Sequence, residues 1–129
     1  MKLLLDTCTF LWIVADSPML SAAARAAAAD PANDVYLSAA SAWEIAVKHA
    51  LGRLPLPDRV ELFVPGRRQS CGIEPWPVSE EAALHVAKLP KLHSDPFDRM
   101  LVAQALTERA TLVSHDHALE PYGVKTIWT

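Results

Sequence analysis

Residues 93 to 116 read HSDPFDRMLVAQALTERATLVSHD, and the rest of the chain is organised around this stretch. It opens with Asp95 and Asp98, two carboxylates three residues apart, and continues through an apolar run that is typical of a buried helix. A short β-type run from Thr111 to Ser114 follows, and Asp116 comes just after it. A helix that leads into a buried strand predicts an α/β protein, and the spacing of the three carboxylates suits a metal site.

The start of this stretch also has the features of an ordinary helix N-terminus. Asp95 is a good N-cap residue, Pro96 fits the first helical position because its missing N–H is not needed there, and Asp98 occupies the third position of a capping box. On the local pattern alone, a structural role and a metal-binding role both remain open for the two carboxylates.

Other apolar runs along the chain predict further strands, and helices alternate with them. The predicted strands are Leu3–Leu5, Val35–Leu37, one within Ile73–Val78, Thr111–Ser114 and Lys125–Trp128. The predicted helices are Thr7–Asp16, Ser21–Ala29, Ser38–Leu51, Asp58–Ser70 with an end or kink at Pro65-Gly66, one that Ser79 caps and Pro90 stops, and Pro96 to about Arg109. This alternation predicts a three-layer α/β/α fold with a parallel sheet of four to five strands. Without a repeat or linker, residues 1–129 are expected to form a single domain.

Two more carboxylates fall where ligands bind in parallel sheets, beyond the carboxyl ends of the strands. Asp6 directly follows the first strand, and Glu44 lies near the end of the second. Ser41 and Glu44 have the spacing of a capping box, which predicts Glu44 in the first turn of its helix, and a pair with Lys48 is the alternative structural role. Two caps and two strand-end acids on one edge are hard to explain by capping alone, so the four acids are predicted to form one site.

The overall charge limits what such a site does. The net charge is −3 and the twelve Lys and Arg residues form no basic stripe, so the chain is not expected to hold nucleic acid by phosphate neutralisation alone. Clustered carboxylates repel one another, whereas Mg²⁺ or Mn²⁺ prefers oxygen ligands and bridges carboxylates to phosphate groups. Such a cation, alone or as a pair, activates a water for attack on phosphorus. The site therefore predicts metal-dependent chemistry on a phosphodiester.

The cysteines and the N-terminal segment bear on where the protein works. Cys8 and Cys71 are too few for a disulfide scaffold and lack the spacing of zinc ligands, which favours a reducing, cytoplasmic setting. Asp6 interrupts the apolar residues near the N-terminus, so neither a signal-peptide core nor a membrane span is expected there.

Four segments carry motifs that occur together in a known family. They are Leu4-Leu5-Asp6-Thr7, Ser41-x-x-Glu44-Ile45, Asp95-Pro96-Phe97-Asp98-Arg99-Met100-Leu101-Val102-Ala103-Gln104-Ala105 and Leu112-Val113-Ser114-His115-Asp116. In this order they resemble PIN-domain ribonucleases, and among these the VapC-type toxins of bacterial toxin–antitoxin systems. Matched position by position, the four acids of that family fall on Asp6, Glu44, Asp98 and Asp116. Asp95 is an extra acid just before the third position, and the resemblance implies an auxiliary or N-cap role for it. Thr7 and Ser114 match polar positions that, in this family, hydrogen-bond the acids or a metal-bound water.

The resemblance implies a Mg²⁺- or Mn²⁺-dependent endoribonuclease toxin that is a homodimer, cuts RNA and is inhibited by a small antitoxin protein lying in apolar grooves. Two alternatives stay open. One is a PIN-like scaffold that binds a partner without catalysis. The other is a Mg²⁺-binding phosphate-handling module such as a receiver domain, although receiver domains carry paired acids after the first strand, where this chain has Asp6 followed by Thr7 and Cys8.

Overall fold

The computed structural model describes residues 1–128, and Thr129, the last residue of the predicted domain, lies outside the described residues. The strands are β1 (Lys2–Leu5), β2 (Asp34–Ser38), β3 (Glu74–Trp76), β4 (Thr111–Ser114) and β5 (Thr126–Trp128). The α-helices are α1 (Thr7–Val14), α2 (Ala22–Ala29), α3 (Ala39–Ala50), α4 (Val60–Ser70), α5 (Glu80–His85) and α6 (Pro96–Glu108), and short 3₁₀ segments span Val86–Lys88 and His117–Tyr122. Among residues 1–128, no helix has the length and apolar character needed to cross a membrane.

The strands form one parallel sheet in the order β3-β2-β1-β4-β5. β1 lies at its centre, where Leu4 pairs with Tyr36 on one side and with Leu112 on the other. The chain builds outward from β1 in one direction and then returns to add β4 and β5 on the opposite side. The crevice beyond the carboxyl ends of β1 and β4 is therefore the switch point where ligands bind in such sheets. The predicted α/β fold with a parallel sheet is confirmed.

Both faces of the sheet are covered by helices. Leu3 and Leu5 belong to a core that includes Phe10 of α1, whereas Leu4 belongs to a second core that includes Leu101 of α6. All three leucines of β1 are completely buried. Successive side chains of a strand point to opposite faces, so an unbroken apolar run is what a strand buried on both sides requires. The predicted three-layer arrangement follows from this burial.

The start of α3 differs from the prediction. Ser38, the last residue of β2, is the N-cap, and its hydroxyl accepts the N–H of Ala40 at 2.9 Å. The predicted capping box of Ser41 and Glu44 is wrong, because the helix begins directly after the strand and leaves Glu44 in its second turn. Ser41 Oγ accordingly has no hydrogen-bond partner within the described chain. The alternative pair between Glu44 and Lys48 does form. Glu44 still reaches the carboxyl edge of the sheet, since side chains on a helix tilt toward its N-terminus.

Two further helices can be compared with the prediction. α4 runs through Pro65-Gly66 to Ser70, so the predicted end at Ser70 is confirmed and the alternative end at Pro65-Gly66 is not found. An interior proline costs about 3 kcal/mol, and Phe63 and Val64, which are buried in the core just before it, anchor the helix against this cost. α1 ends at Val14, earlier than predicted, because Asp16 has a φ of 49°, outside the helical region.

The N-terminus of α6 is capped by the predicted residue. Asp95 Oδ1 accepts the N–H of Phe97 at 2.8 Å and the N–H of Asp98 at 3.4 Å. Asp98 does not complete the capping box, because the N–H of Asp95 donates to His93 Nδ1 at 3.0 Å instead. The carboxylate of Asp98 is therefore not used for capping, although it lies in the first turn of the helix.

Candidate metal centre

A cleft of about 270 Å³ contains the four acids predicted from the sequence. The side chains that line it are Asp6, Thr7, Cys8, Glu44, Lys48, His93, Asp95, Asp98, His115 and Asp116. The four acids come from the end of β1, from α3, from the start of α6 and from the segment after β4. The topology of the sheet brings these segments together at its carboxyl edge.

Asp6 and Ser114 connect the ends of β1 and β4. Asp6 is only 4% exposed; its Oδ1 accepts the N–H of Thr9 at 2.8 Å, and its Oδ2 accepts the hydroxyl of Ser114 at 2.6 Å. The same Ser114 oxygen accepts the N–H of Asp116 at 3.0 Å. Ser114 thereby links the first and the last of the four acids.

Glu44 is held by two partners. It is 5% exposed, the hydroxyl of Thr7 donates to its Oε1 at 2.6 Å, and Lys48 Nζ pairs with its Oε2. The hydrogen bond with Glu44 raises the pKa of Lys48 above its usual value. Because a buried carboxyl group without partners is costly, these two contacts offset the cost of burying Glu44.

His93, Asp98 and Asp116 form the tightest group of possible metal ligands. One ligand atom from each lies within 4.8 Å of the other two. His93 Nε2 is 3.0 Å from Asp116 Oδ2 and 3.6 Å from Asp98 Oδ2. Oxygen ligands on one Mg²⁺ lie about 3 to 4 Å from each other. The ligand atoms of the two carboxylates also lie within 4.8 Å of each other, which makes Asp98 and Asp116 candidate ligands of one hard divalent cation.

The pKa of Asp98 also indicates a site for a cation. Burial, followed by the negative charges of Asp95 and Asp6, raises this pKa from 3.8 to about 7. The ionised form of Asp98 is therefore poorly stabilised by the side chains of the cleft, first because it is buried and then because acids surround it. A divalent cation reverses this balance, because a metal-binding carboxylate is deprotonated and cation binding releases its proton.

Two other groups in the cleft have shifted proton affinities. Burial alone would raise the pKa of Asp116, but the N–H of Ala118, which donates at 2.9 Å, and the hydrogen bond with His93 hold that pKa below its usual value. Burial and the charges of Asp6 and Glu44 raise the pKa of the Cys8 thiol to about 11. Cys8 is therefore protonated at neutral pH and unsuited to act as a nucleophile.

Two histidines of the cleft were not predicted from the sequence. His93 contacts Asp116 as described, and His115 Nδ1 lies 3.8 Å from Asp6 Oδ2 while its ring packs 4.9 Å from that of Trp12. Both are close in sequence to predicted acids, since His93 is two residues before Asp95 and His115 directly precedes Asp116. That proximity could have indicated the two histidines from the sequence, but it is a weak signal, because a histidine beside an acid also occurs in chains without a metal site.

The fold and the cleft define a class of protein, namely an α/β protein with an acidic cleft at the carboxyl edge of a parallel sheet. A family model described as PIN domain matches residues 3–125. The chain belongs to the PIN domain family. The resemblance that the sequence motifs indicated is confirmed at this level.

Among curated proteins, the chain is similar to Ribonuclease VapC16 of Mycobacterium tuberculosis, with 44% identity over 61 residues. This match covers 47% of the chain and 43% of that ribonuclease, so it spans less than half of either protein.

Several solved structures have a similar fold. They include VapBC2 from Rickettsia felis bound to a promoter DNA fragment, with 14% identity, a TM-score of 0.73 and 98% of both chains covered. VapBC-1 from nontypeable Haemophilus influenzae has 16% identity and a TM-score of 0.64, covering 99% of this chain and 98% of that one. A toxin–antitoxin complex from Klebsiella pneumoniae has 17% identity and a TM-score of 0.54, covering 88% and 85%. At these identities the comparison shows the shared fold alone.

Proposed function

We propose that this protein is a metal-dependent endoribonuclease, the toxin of a bacterial toxin–antitoxin pair, which hydrolyses RNA phosphodiester bonds with Mg²⁺ or Mn²⁺. The observation that carries this proposal is the convergence of four acids on one cleft, namely Asp6, Glu44, Asp98 and Asp116. Membership of the PIN domain family and the partial similarity to a ribonuclease support it.

Asp98 and Asp116 are the proposed principal metal ligands, because they belong to the tightest group of ligand atoms. Asp6 and Glu44 line the same cleft and are proposed to bind the cation directly or through its waters. When bound, the cation would orient and acidify a water for in-line attack and stabilise the leaving oxygen.

The other residues of the cleft are proposed to hold these carboxylates and to meet the RNA. Ser114 fixes Asp6, and Thr7 fixes Glu44, through hydrogen bonds of 2.6 Å each. Ligands held in place before binding lose less freedom when the cation arrives. Among the residues that line the cleft within the described chain, Lys48 alone carries a permanent positive charge, and 45% of its side chain is exposed. Lys48 is therefore suited to contact a phosphate group of the RNA.

The proposed protein partner is a small antitoxin, and an apolar groove of about 580 Å³ is its proposed binding surface. The groove lies between α3, α4 and β3, and its apolar lining includes Ala39, Ala42, Ala46, Val60, Val64, Pro65, Pro75, Trp76 and Pro77. A groove of this kind, lined by small side chains and rigid prolines, suits the apolar face of a partner helix or an extended segment. We also propose a homodimer, which sedimentation equilibrium would test directly.

Cleavage of an RNA oligonucleotide by the purified full-length protein tests the nuclease proposal. We expect cleavage after addition of Mg²⁺ or Mn²⁺, none in EDTA, and a rate at least about 100-fold lower for Asp98→Asn, as expected when a metal ligand is lost. Glu80→Gln, a change at an exposed acid of α5 outside the cleft, is the matched control and should cut at the rate of the unsubstituted protein.

Cleavage that persists in EDTA, or that is equal in Asp98→Asn, would contradict the proposal. RNA or partner binding without any cleavage would indicate the catalytically silent scaffold. Induction of the unsubstituted protein and of Asp98→Asn in cells, with mapping of new RNA 5′ ends, would identify the RNA target.

A further inference from the structure

His93 lies between two of the proposed metal ligands, and the family motifs assign it no role. Its Nε2 is 3.0 Å from Asp116 Oδ2 and 3.6 Å from Asp98 Oδ2, and only 19% of its side chain is exposed. A nitrogen in this position has two possible functions. It either binds the cation itself or holds the two carboxylates that bind it.

The hydrogen bond on the other ring nitrogen distinguishes these functions. The N–H of Asp95 donates to His93 Nδ1 at 3.0 Å, so Nδ1 carries the lone pair. In a neutral imidazole the proton is then on Nε2, the nitrogen that faces the two carboxylates. Nε2 therefore donates a hydrogen bond to Asp116 and has no lone pair to offer a cation.

Coordination through Nε2 would require the other tautomer of His93. With the proton moved to Nδ1, the N–H of His93 would face the N–H of Asp95, and two donors would oppose each other. Asp95 is not free to turn away, because its carboxylate caps α6 through the N–H of Phe97 at 2.8 Å. Metal-binding histidines usually donate their second ring N–H to an acceptor, which is the opposite of the contact seen at Nδ1.

We propose that His93 is a positioning residue of the metal centre, which holds Asp116 in place through its Nε2–H, lies beside Asp98, and is not itself a ligand. This inference rests on the proposed function for the identity of the occupant as a divalent cation. The donated N–H offsets the repulsion between the two carboxylates and orients Asp116 toward the cleft. The direct ligands are then all oxygen atoms, which favours Mg²⁺ or Mn²⁺ over softer metals.

The affinity of the full-length protein for Mn²⁺, measured without RNA from the EPR signal of free Mn²⁺, tests the proposal. His93→Leu removes the donor and is expected to weaken Mn²⁺ binding by about 10- to 100-fold, the usual effect of losing a residue that supports a ligand. His93→Gln keeps an N–H donor at about the position of Nε2 and should restore binding to within about threefold. His85→Leu, at the end of α5 and outside the cleft, is the matched control and should leave the affinity unchanged.

Pulsed EPR of the bound Mn²⁺ separates a positioning residue from a ligand. We expect no directly coordinated nitrogen in the unsubstituted protein. A coordinated nitrogen signal that disappears in His93→Leu would overturn the proposal, as would equal Mn²⁺ affinity in that variant or the absence of Mn²⁺ binding in the unsubstituted protein. If circular dichroism shows that His93→Leu is unfolded, His93→Gln carries the test, and a loss of affinity beyond about tenfold in this variant would also overturn it.

The two proposals fail in different ways, because neither metal measurement involves RNA. Protein whose Mn²⁺ affinity depends on His93 but which cuts no RNA would overturn the nuclease proposal and support the positioning role. If the unsubstituted protein cuts RNA and the His93→Leu variant keeps full Mn²⁺ affinity, the positioning role is overturned and the nuclease proposal is supported.

Discussion

Helix α3 borders two regions of opposite character, the acidic cleft and the apolar groove. Toward the carboxyl edge of the sheet it supplies Glu44 and Lys48 to the cleft, and toward α4 it supplies Ala39, Ala42 and Ala46 to the groove. The cleft measures about 270 Å³ and the groove about 580 Å³. In the cleft, hydrogen bonds fix the positions of charged groups, whereas the groove offers shape and apolar surface.

Because the cleft is charged and the groove is apolar, the two regions should respond to different kinds of substitution. A change of charge at constant volume should affect the cleft, because its proposed chemistry depends on carboxylate ligands. A change of volume or polarity at a small side chain should affect the groove, because its proposed function depends on fit. If each kind of change acts only on its own region, catalysis and partner binding are separate properties of this fold.

The largest expected effect is the loss of catalysis when a cleft acid is neutralised. Asp116→Asn keeps the size of the side chain but removes its charge, and we expect RNA cleavage to fall at least about 100-fold, as for other metal sites that lose a ligand. Binding of the proposed antitoxin, sought as the product of a small open reading frame next to the gene, should stay within about threefold. Equal cleavage by both proteins would contradict the assignment of Asp116.

The converse change in the groove should weaken partner binding instead. Ala46→Glu places a charge on the apolar lining, and we expect capture of the same antitoxin to weaken at least about tenfold, since burying an unpaired charge in an interface is costly. Metal-dependent RNA cleavage should be unchanged. Ala50→Glu, at the exposed end of the same helix, is the control. If Ala46→Glu captures the antitoxin as well as the unsubstituted protein does, the groove is not the binding surface.

The proton affinity of Asp98 predicts a pH-dependent stability. Its pKa is about 7 in the folded protein and 3.8 when unperturbed, so the folded state binds more protons between these values. Stability of the metal-free protein should therefore fall as pH rises from about 4 to about 7. Asp98→Asn lacks this penalty and should raise the free energy of unfolding by about 1–4 kcal/mol at pH 8, with little gain below pH 4.

Urea unfolding in EDTA at pH 4 and pH 8 measures this difference. The order should reverse when Mn²⁺ is added, because the cation stabilises the protein that binds it more tightly. A variant that is no more stable than the unsubstituted protein at pH 8 would show that the charge of Asp98 is well accommodated without a metal.

The smallest expected effects concern the two serines at the start of α3, the helix that the two regions share. Ser38→Ala removes the N-cap and also the hydroxyl that donates to the buried Gln104 Oε1, and should lower the free energy of unfolding by about 2 kcal/mol. Ser41→Ala removes a hydroxyl that has no partner in the described chain and should be neutral or slightly stabilising. Thermal unfolding of the two variants would compare them, and a larger loss in Ser41→Ala would restore the capping box first expected there.

Much of the candidate site could be predicted because its acids stand at strand ends and helix starts, which local sequence patterns identify. Asp6 follows a buried strand, and Asp95 precedes a proline and an apolar helix, so local patterns place both. The position of Glu44 was only partly predicted, since Ser38 and Ser41 are both good caps and the choice depends on where β2 ends. A helix reaching Ser70 was predicted, but the sequence left open whether Pro65-Gly66 would end it, because that depends on burial of the preceding turn, which offsets the proline.

The order of strands and helices, the parallel sheet and the arrival of four acids at one edge follow from periodicity, capping and chain connectivity. These are local or topological properties that the amino-acid sequence carries. The folded structure was needed to show which acids are closest, how His93 enters between Asp98 and Asp116, and why the pKa of Asp98 is raised. Those features depend on distances and burial between segments far apart in the chain, and the charge of one side chain acts on another only when folding has brought them together.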